Sequence, residues 1–198
     1  MKWDIVFSGI GGQGVVVLSD IFCEAALMDG FDVAKAEIHG MAQRGGSIVA
    51  YARLGEKVEA PLIERGRADV ILGFEMLETA RVLPMLKADG SVVVNTKYIP
   101  PNITFTGNTS KPVTQEQLLS IIKAKAHAIH EVDAVGIATK LGNVLVVNTV
   151  LLGALSAIPE NPVKPDSYKK AMAARLKPKY VDLNLKAFQL GRESVTLG

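Results

Sequence analysis

Trp3-Asp4-Ile5-Val6-Phe7-Ser8 runs into Gly9-Ile10-Gly11-Gly12-Gln13-Gly14 and then into Val15-Val16-Val17-Leu18. An apolar run, four glycines and the start of a patterned stretch read as strand, tight loop and helix. Leu18, Ile21, Phe22 and Ala25 share one helical face, so a helix is predicted over residues 14 to 28, ended by Asp29-Gly30. Glycine lets the backbone turn sharply and lets a ligand come close to the main chain. A helix start adds unpaired N–H groups and the positive end of a dipole, so the stretch predicts a phosphate or anion cradle. Gly9, Gly11 and Gly14 also fit the dinucleotide pattern G-x-G-x-x-G. Glu37, 23 residues beyond Gly14, stands near where a ribose-binding acid would fall. On that pattern alone, a stand-alone NAD(P)- or FAD-binding oxidoreductase is one reading.

The next segment argues against it. Val33 to Ile38 and Ile48 to Leu54 read as the second and third strands, and His39 to Gly46 is the whole link between them, eight residues long. A parallel crossover needs roughly a dozen residues or more. The two strands are therefore predicted to be antiparallel neighbours, which breaks the mononucleotide-binding unit after its first strand and helix. Strand two would run parallel to strand one and bring its C-terminal end beside Gly9–Gly14. The link itself, His39-Gly40-Met41-Ala42-Gln43-Arg44-Gly45-Gly46, carries an imidazole, an amide and a guanidinium among three glycines. Arg44 between Gln43 and two glycines suits an anion, whether phosphate, carboxylate or a partner's side chain. The plainer reading makes both glycine clusters tight turns and Arg44 a surface charge.

Further along, Val58 to Ala60 reads as a brief pairing segment and Ala68 to Phe74 as a buried strand. Glu75 to Lys87 reads as a helix kinked at Pro84, Ala88-Asp89-Gly90 as a turn, and Ser91 to Asn95 as a strand. Ile103 to Gly107 reads as a short strand, and a helix is predicted from a Thr114 cap to about Ala126. Ile129 to Val132 is the last expected strand. Helices follow from Asp133 to Leu141, from Asn143 to Ile158, from Asp166 to Leu176 and from Lys179 to Ser194. Strands alternating with helices predict one α/β domain over residues 1 to 198. Its form is three-layer α/β/α around a mainly parallel mixed sheet, with a Rossmann-like start and a helical C-terminal part.

The chain of 198 residues is 48% hydrophobic and 21% charged, with a net charge of +2, so no bulk polyelectrolyte partner is implied. The last 38 residues hold eight lysines and arginines against three acids, read as a solvated helical face. The longest apolar run, Val144 to Ile158, is too short to span a bilayer, and no apolar leader precedes the first strand. A cytoplasmic location is expected, with neither membrane nor nucleic acid as partner. Cys23 is the single cysteine, so no disulfide, iron–sulfur cluster or thiolate zinc site can be assembled within this chain. Histidines 39, 127 and 130 make no ligand pattern with carboxylates. Asp69, Glu75 and Glu78 bracket a strand end without a nucleophile, and Ser8 and Ser47 lack an evident base.

The first glycine loop, together with Ile38-His39-Gly40-Met41-Ala42-Gln43-Arg44-Gly45-Gly46-Ser47, resembles the gamma-type subunit or domain of 2-oxoacid:ferredoxin oxidoreductases, and most of all its indolepyruvate-type members. Asn148-Thr149-Val150-Leu151-Leu152-Gly153-Ala154-Leu155 resembles that family's apolar helix. The resemblance implies a three-layer domain working inside a heteromeric complex. There, thiamine diphosphate and [4Fe–4S] clusters belong to a larger subunit, which decarboxylates a 2-oxoacid, passes electrons to ferredoxin and yields an acyl-CoA. The residues that match the motif are Gly9, Gly11, Gly12, Gln13, Gly14, His39, Gln43, Arg44, Gly45 and Gly46, taken as candidates for cofactor binding. The resemblance assigns no catalytic residue and no metal ligand to this chain, and the isolated subunit is expected to be inactive.

Overall fold

The computed structural model describes residues 2–40, 45–100 and 113–196. Its first three strands are β1 (Lys2–Ile10), β2 (Asp32–His39) and β3 (Ser47–Gly55), followed by β4 (Ala68–Gly73), β5 (Leu86–Asn95) and β6 (Ala128–Val132). They form one sheet in the order β2-β3-β1-β4-β5-β6. β3 is antiparallel to both of its neighbours, and β1, β4, β5 and β6 pair in parallel. The antiparallel β2–β3 pair and the mixed sheet are as expected from the short link. The placing of β3 is not: it lies between β2 and β1. The start of β3, and not the end of β2, therefore lies beside the first glycine loop, with Ile10 opposite Ser47.

The helices are α1 (Val15–Met28), α2 (Met76–Val82), α3 (Gln115–Lys125), α4 (Ala134–Lys140), α5 (Val147–Ala157), α6 (Pro165–Arg175) and α7 (Pro178–Thr196). Alternation along β1 feeds two cores. Trp3, Ile5 and Phe7 enter the core shared with α1, α5, α6 and α7, while Val6 enters the one beneath α2 and α3. Phe22 of α1 is the hub of the first core. Its ring lies 5.8 Å from Trp3, 5.4 Å from Phe7 and 6.2 Å from Tyr168, and Tyr168 in turn meets Phe188. Capping agrees with the sequence. Thr114 and Gln117 form a reciprocal capping box on α3, and Asp133 accepts from the Gly136 amide at 2.9 Å.

Several elements differ from expectation. The helix after Glu75 stops at Val82, and Leu83–Met85 is a single 3-10 turn around Pro84. Pro84 lacks the N–H to continue the helix and terminates it instead of kinking it. Residues 88–90 are no turn but part of β5, which begins at Leu86 opposite Ala68 and carries a register shift there. A Cβ on Gly90 would lie 2.6 Å from Leu86 and 3.1 Å from the Ala68 carbonyl, so the irregular strand depends on that glycine. Val58–Ala60 forms no strand. Residues 144–146 form a 3-10 turn before α5. The predicted strand at 103–107 lies outside the described residues. Part of the basic C-terminal face is tied down, as Arg175 reaches Asp20 at 3.2 Å and Glu24 at 3.6 Å on α1.

Candidate functional site

At the C-terminal edge of the parallel strands, the loop between β1 and α1 forms one wall of a cleft of about 260 Å³. Gly12, Gln13, Gly14, Asn95, Lys97 and Asn148 supply its polar lining, and Ile99, Val135, Val144, Leu145 and Val147 its apolar lining. This is the edge at which open α/β sheets hold ligands.

The loop is built from inside. The Gly11 N–H donates to the Gly46 carbonyl at 2.8 Å, which staples the two glycine segments together. The Gln13 N–H donates to the Ile10 carbonyl, and Gln13 Oε1 accepts from the Ile10 amide at 2.8 Å. Gly9 is packed so tightly that a Cβ would lie within 2.7–2.9 Å of Gln13, Phe74 and Val15. Gly9, Gly11 and the Gln13 carbonyl arm thus shape the loop, Gly14 faces Asn148, and Gly12 forms the open side. Gly14 is the N-cap of α1 in the left-handed region, with φ 80°, and among the described residues no side chain caps this helix start. The first-turn amides of α1 have no acidic residue in the turn to compete with a ligand.

The opposite wall comes from the end of β5 and the start of α5. Asn95 Nδ2 donates to the Phe74 carbonyl at 3.1 Å and joins the ends of β4 and β5. Glu75, fully buried, accepts from the Glu78 amide and from the Ile99 amide, and so positions the segment after β5. Lys97 is exposed at the mouth and has no carboxylate partner among the described residues. Asn148 packs its amide group against Gly14, 2.6 Å from where a Cβ would stand. Leu145 is 80% exposed and Val144 59%, an apolar lip on the same cleft.

Of the sequence-derived candidates, Gly9, Gly11, Gly12, Gln13, Gly14, Gly45 and Gly46 fall together around this loop pair. Gln43 and Arg44 lie outside the described residues. His39 does not join the cleft lining. It is exposed at the end of edge strand β2 and paired with Glu37 at 3.0 Å. Glu37 is also claimed by Lys35; the ion pairs outweigh its partial burial and hold its carboxyl below the ordinary range. Asn95, Lys97, Ile99 and Asn148 do not stand out in the sequence as cleft residues. The signal available is their place directly after β5 and at the start of an apolar helix.

A larger hollow, about 900 Å³, lies at the far end of α1 beside Lys164–Ser167 and Lys170. The N-terminus of α6 there is already taken by Asp29, which accepts from the Lys164 amide and the Ser167 hydroxyl. The Cys23 thiol is buried and pushed up to about 12 by desolvation, so it offers no thiolate. Among the described residues no three metal-ligating side chains come together. No helix among them is long and apolar enough to cross a membrane.

Residues 4–194 match the family model for pyruvate ferredoxin/flavodoxin oxidoreductase, and the chain belongs to that family. It is 37% identical over 96% of its length to indolepyruvate oxidoreductase subunit IorB of Thermococcus kodakarensis, of which it covers 94%. The IorB of Archaeoglobus fulgidus is 38% identical over the whole of this chain and 98% of its own. The fold agrees with that of the keto/oxoacid ferredoxin oxidoreductase gamma subunit from Geobacter sulfurreducens, with TM-score 0.73, 24% identity and 99% of both chains covered. It also agrees with 31% of a longer chain, the 2-oxoglutarate:ferredoxin oxidoreductase from Magnetococcus marinus, with TM-score 0.75 and 18% identity. The chain is a subunit of a 2-oxoacid:ferredoxin oxidoreductase.

Proposed function

We propose that this chain is the small subunit of an indolepyruvate-type enzyme and that its glycine-loop cleft receives an anionic group of coenzyme A or of the 2-oxoacid. The observation that carries the reading is the 37–38% identity to IorB subunits, running across nearly the whole of both partners. The cleft supports it. Helix-start amides and a lysine that have no cap and no carboxylate partner among the described residues suit phosphate or carboxylate, and the apolar lip suits an aliphatic arm. Coenzyme A would be held by Gly12, Gly14, Lys97 and Asn148, with its arm along Val144 and Leu145. Its thiol supplies the acceptor for the acyl group. Four thiolates for a [4Fe–4S] cluster cannot come from this chain, whose single cysteine is buried and protonated. The clusters and thiamine diphosphate belong in this proposal to a larger partner subunit, which passes electrons to ferredoxin, in a cytoplasmic heteromer.

The dinucleotide reading is weaker. β3 sets β2, and Glu37 with it, two strand spacings from β1, about 10 Å. Glu37 is moreover engaged by Lys35 and His39. The test is co-expression with the larger subunit and assay of a 2-oxoacid panel with coenzyme A and ferredoxin. Aryl pyruvates are expected to give the highest kcat/KM. A preference for pyruvate, or failure to form a complex, overturns the assignment. Calorimetric binding of NAD to the isolated chain would restore the dinucleotide alternative.

A further inference from the structure

Among the described residues β2 is a free edge of the sheet, eight residues long, with no proline, glycine or break in its register against β3. Such an edge is a template for pairing unless a charge, a bulge or a cover guards it. The Gly40 N–H donates to the Ser47 carbonyl, in the same register that sets His39 opposite Ile48. Hydrogen-bonded and non-bonded pairs alternate, so the even-numbered residues of β2 turn their N–H and C=O toward β3. The odd-numbered ones turn theirs outward. The outward Val33 amide is already held by the Asp32 carboxylate at 3.0 Å. Lys35 and Glu37 carry outward groups without a partner among the described residues. The Lys35 ammonium does not guard the edge, because Asp20 and Glu37 hold it on the α1 side of the sheet. On the other side Ala34, Ala36 and Ile38 stand beside Arg53, Tyr51 and Val49. Helices α2 and α3 pack over β1, β4, β5 and β6, and Ile38 is left 52% exposed.

An antiparallel pair keeps directly opposed side chains on one face, so self-pairing about a two-fold axis must oppose residues of equal parity. An axis at Lys35 sets that lysine against itself. An axis at Glu37 does the same with two carboxylates. An axis at Ala36 sets Lys35 against the second copy's Glu37, twice, and Ala34 against the second copy's Ile38. It also joins the outward backbone groups of Lys35 and Glu37 into four hydrogen bonds. We propose that β2 is the seat of a second copy of this chain, joined edge to edge in the register centred on Ala36. The proposal is independent of which 2-oxoacid the enzyme uses.

In that register the two Ala36 residues form a close non-hydrogen-bonded pair, with Cα atoms about 4.5 Å apart, within disulfide range. Oxidation of full-length Ala36→Cys is expected to give a disulfide-linked dimer on a non-reducing gel. Ala34→Cys alone should not cross-link, whereas an equimolar mixture of Ala34→Cys and Ile38→Cys should. Wild-type chain at tens of micromolar should have a dimer's mass by light scattering. Glu37→Lys, which opposes two lysines, should weaken the dimer tenfold or more while the thermal unfolding transition stays cooperative. A monomeric wild-type mass, or Ala34→Cys cross-linking alone as well as Ala36→Cys, overturns the proposal. So does an Ala36→Cys cross-link to the larger subunit, in the co-expressed complex, in place of the self-cross-link.

Discussion

Gly14 joins backbone, packing and site in one residue. Its φ of 80° is costly for a residue with a side chain, about 1–2 kcal/mol. A Cβ there would also displace Asn148 from the cleft wall. Gly14→Ala should lower Tm by a few degrees and raise the KM for coenzyme A in the assembled complex. Gly30→Ala is the control, since its φ is 88° with open space around it: the same strain, with no change in KM. At Cys23 the physics points the other way, toward silence. Burial raises the thiol to about 12 against an ordinary 9.0. The folded state therefore holds the proton more tightly than the unfolded one. Stability tied to it is complete below pH 9 and is lost as pH rises toward 12, by up to about 1.4 kcal/mol per pH unit. Cys23→Ala should flatten that alkaline fall in thermal melts. A thiol reagent at pH 8 should label native wild-type chain only as fast as the chain unfolds.

Between elements, α5 and α7 approach so closely that two glycines are needed at their contact. A Cβ on Gly153 would lie 2.0 Å from the Phe188 carbonyl oxygen, and one on Gly191 2.0 Å from that of Val150. The two helices touch backbone to backbone, which only glycine permits. Helix propensity alone would make Gly153→Ala stabilising by about 1 kcal/mol. Overpacking costs more, so a net loss of about 2 kcal/mol and a Tm lower by about 4–8 °C are expected in calorimetry. The sign of the change separates the two effects. Neither glycine announces its role in the sequence, because the partner carbonyl is far along the chain. Local signals fare better. The Thr114 and Asp133 caps, the Asp29-Gly30 stop and the eight-residue link each act within a few residues, and each is legible. Pro84 is legible as a disruption but not as the end of α2, since the strand that begins at Leu86 is specified by its pairing with Ala68. The same holds for the cleft. The glycine loop can be found from its spacing, whereas Asn95, Lys97 and Asn148 reach it only through the sheet order and the start of α5.

At the scale of the whole molecule, the insertion of β3 between β1 and β2 turns a dinucleotide-like opening into a different device. The ribose-binding corner is gone, and the amide of Gly11 is spent on the Gly46 carbonyl. What remains is a loop whose outer side is open at Gly12: a Cβ there would meet no atom of the described residues within 4 Å. A side chain at that position collides with none of them, so beyond backbone strain of order 1–3 kcal/mol its effect reports what approaches from outside. Gly12→Val should leave the isolated chain folded, with a cooperative melt a few degrees lower, and should leave the complex with the larger subunit intact on gel filtration. Turnover of the 2-oxoacid with coenzyme A should be lost, and Gly30→Val, strained at a similar φ far from the cleft, should retain it. If the complex dissociates instead, the loop is a subunit contact and not a ligand seat. If turnover is normal, the loop is only a turn, and the anion that its helix start invites binds elsewhere.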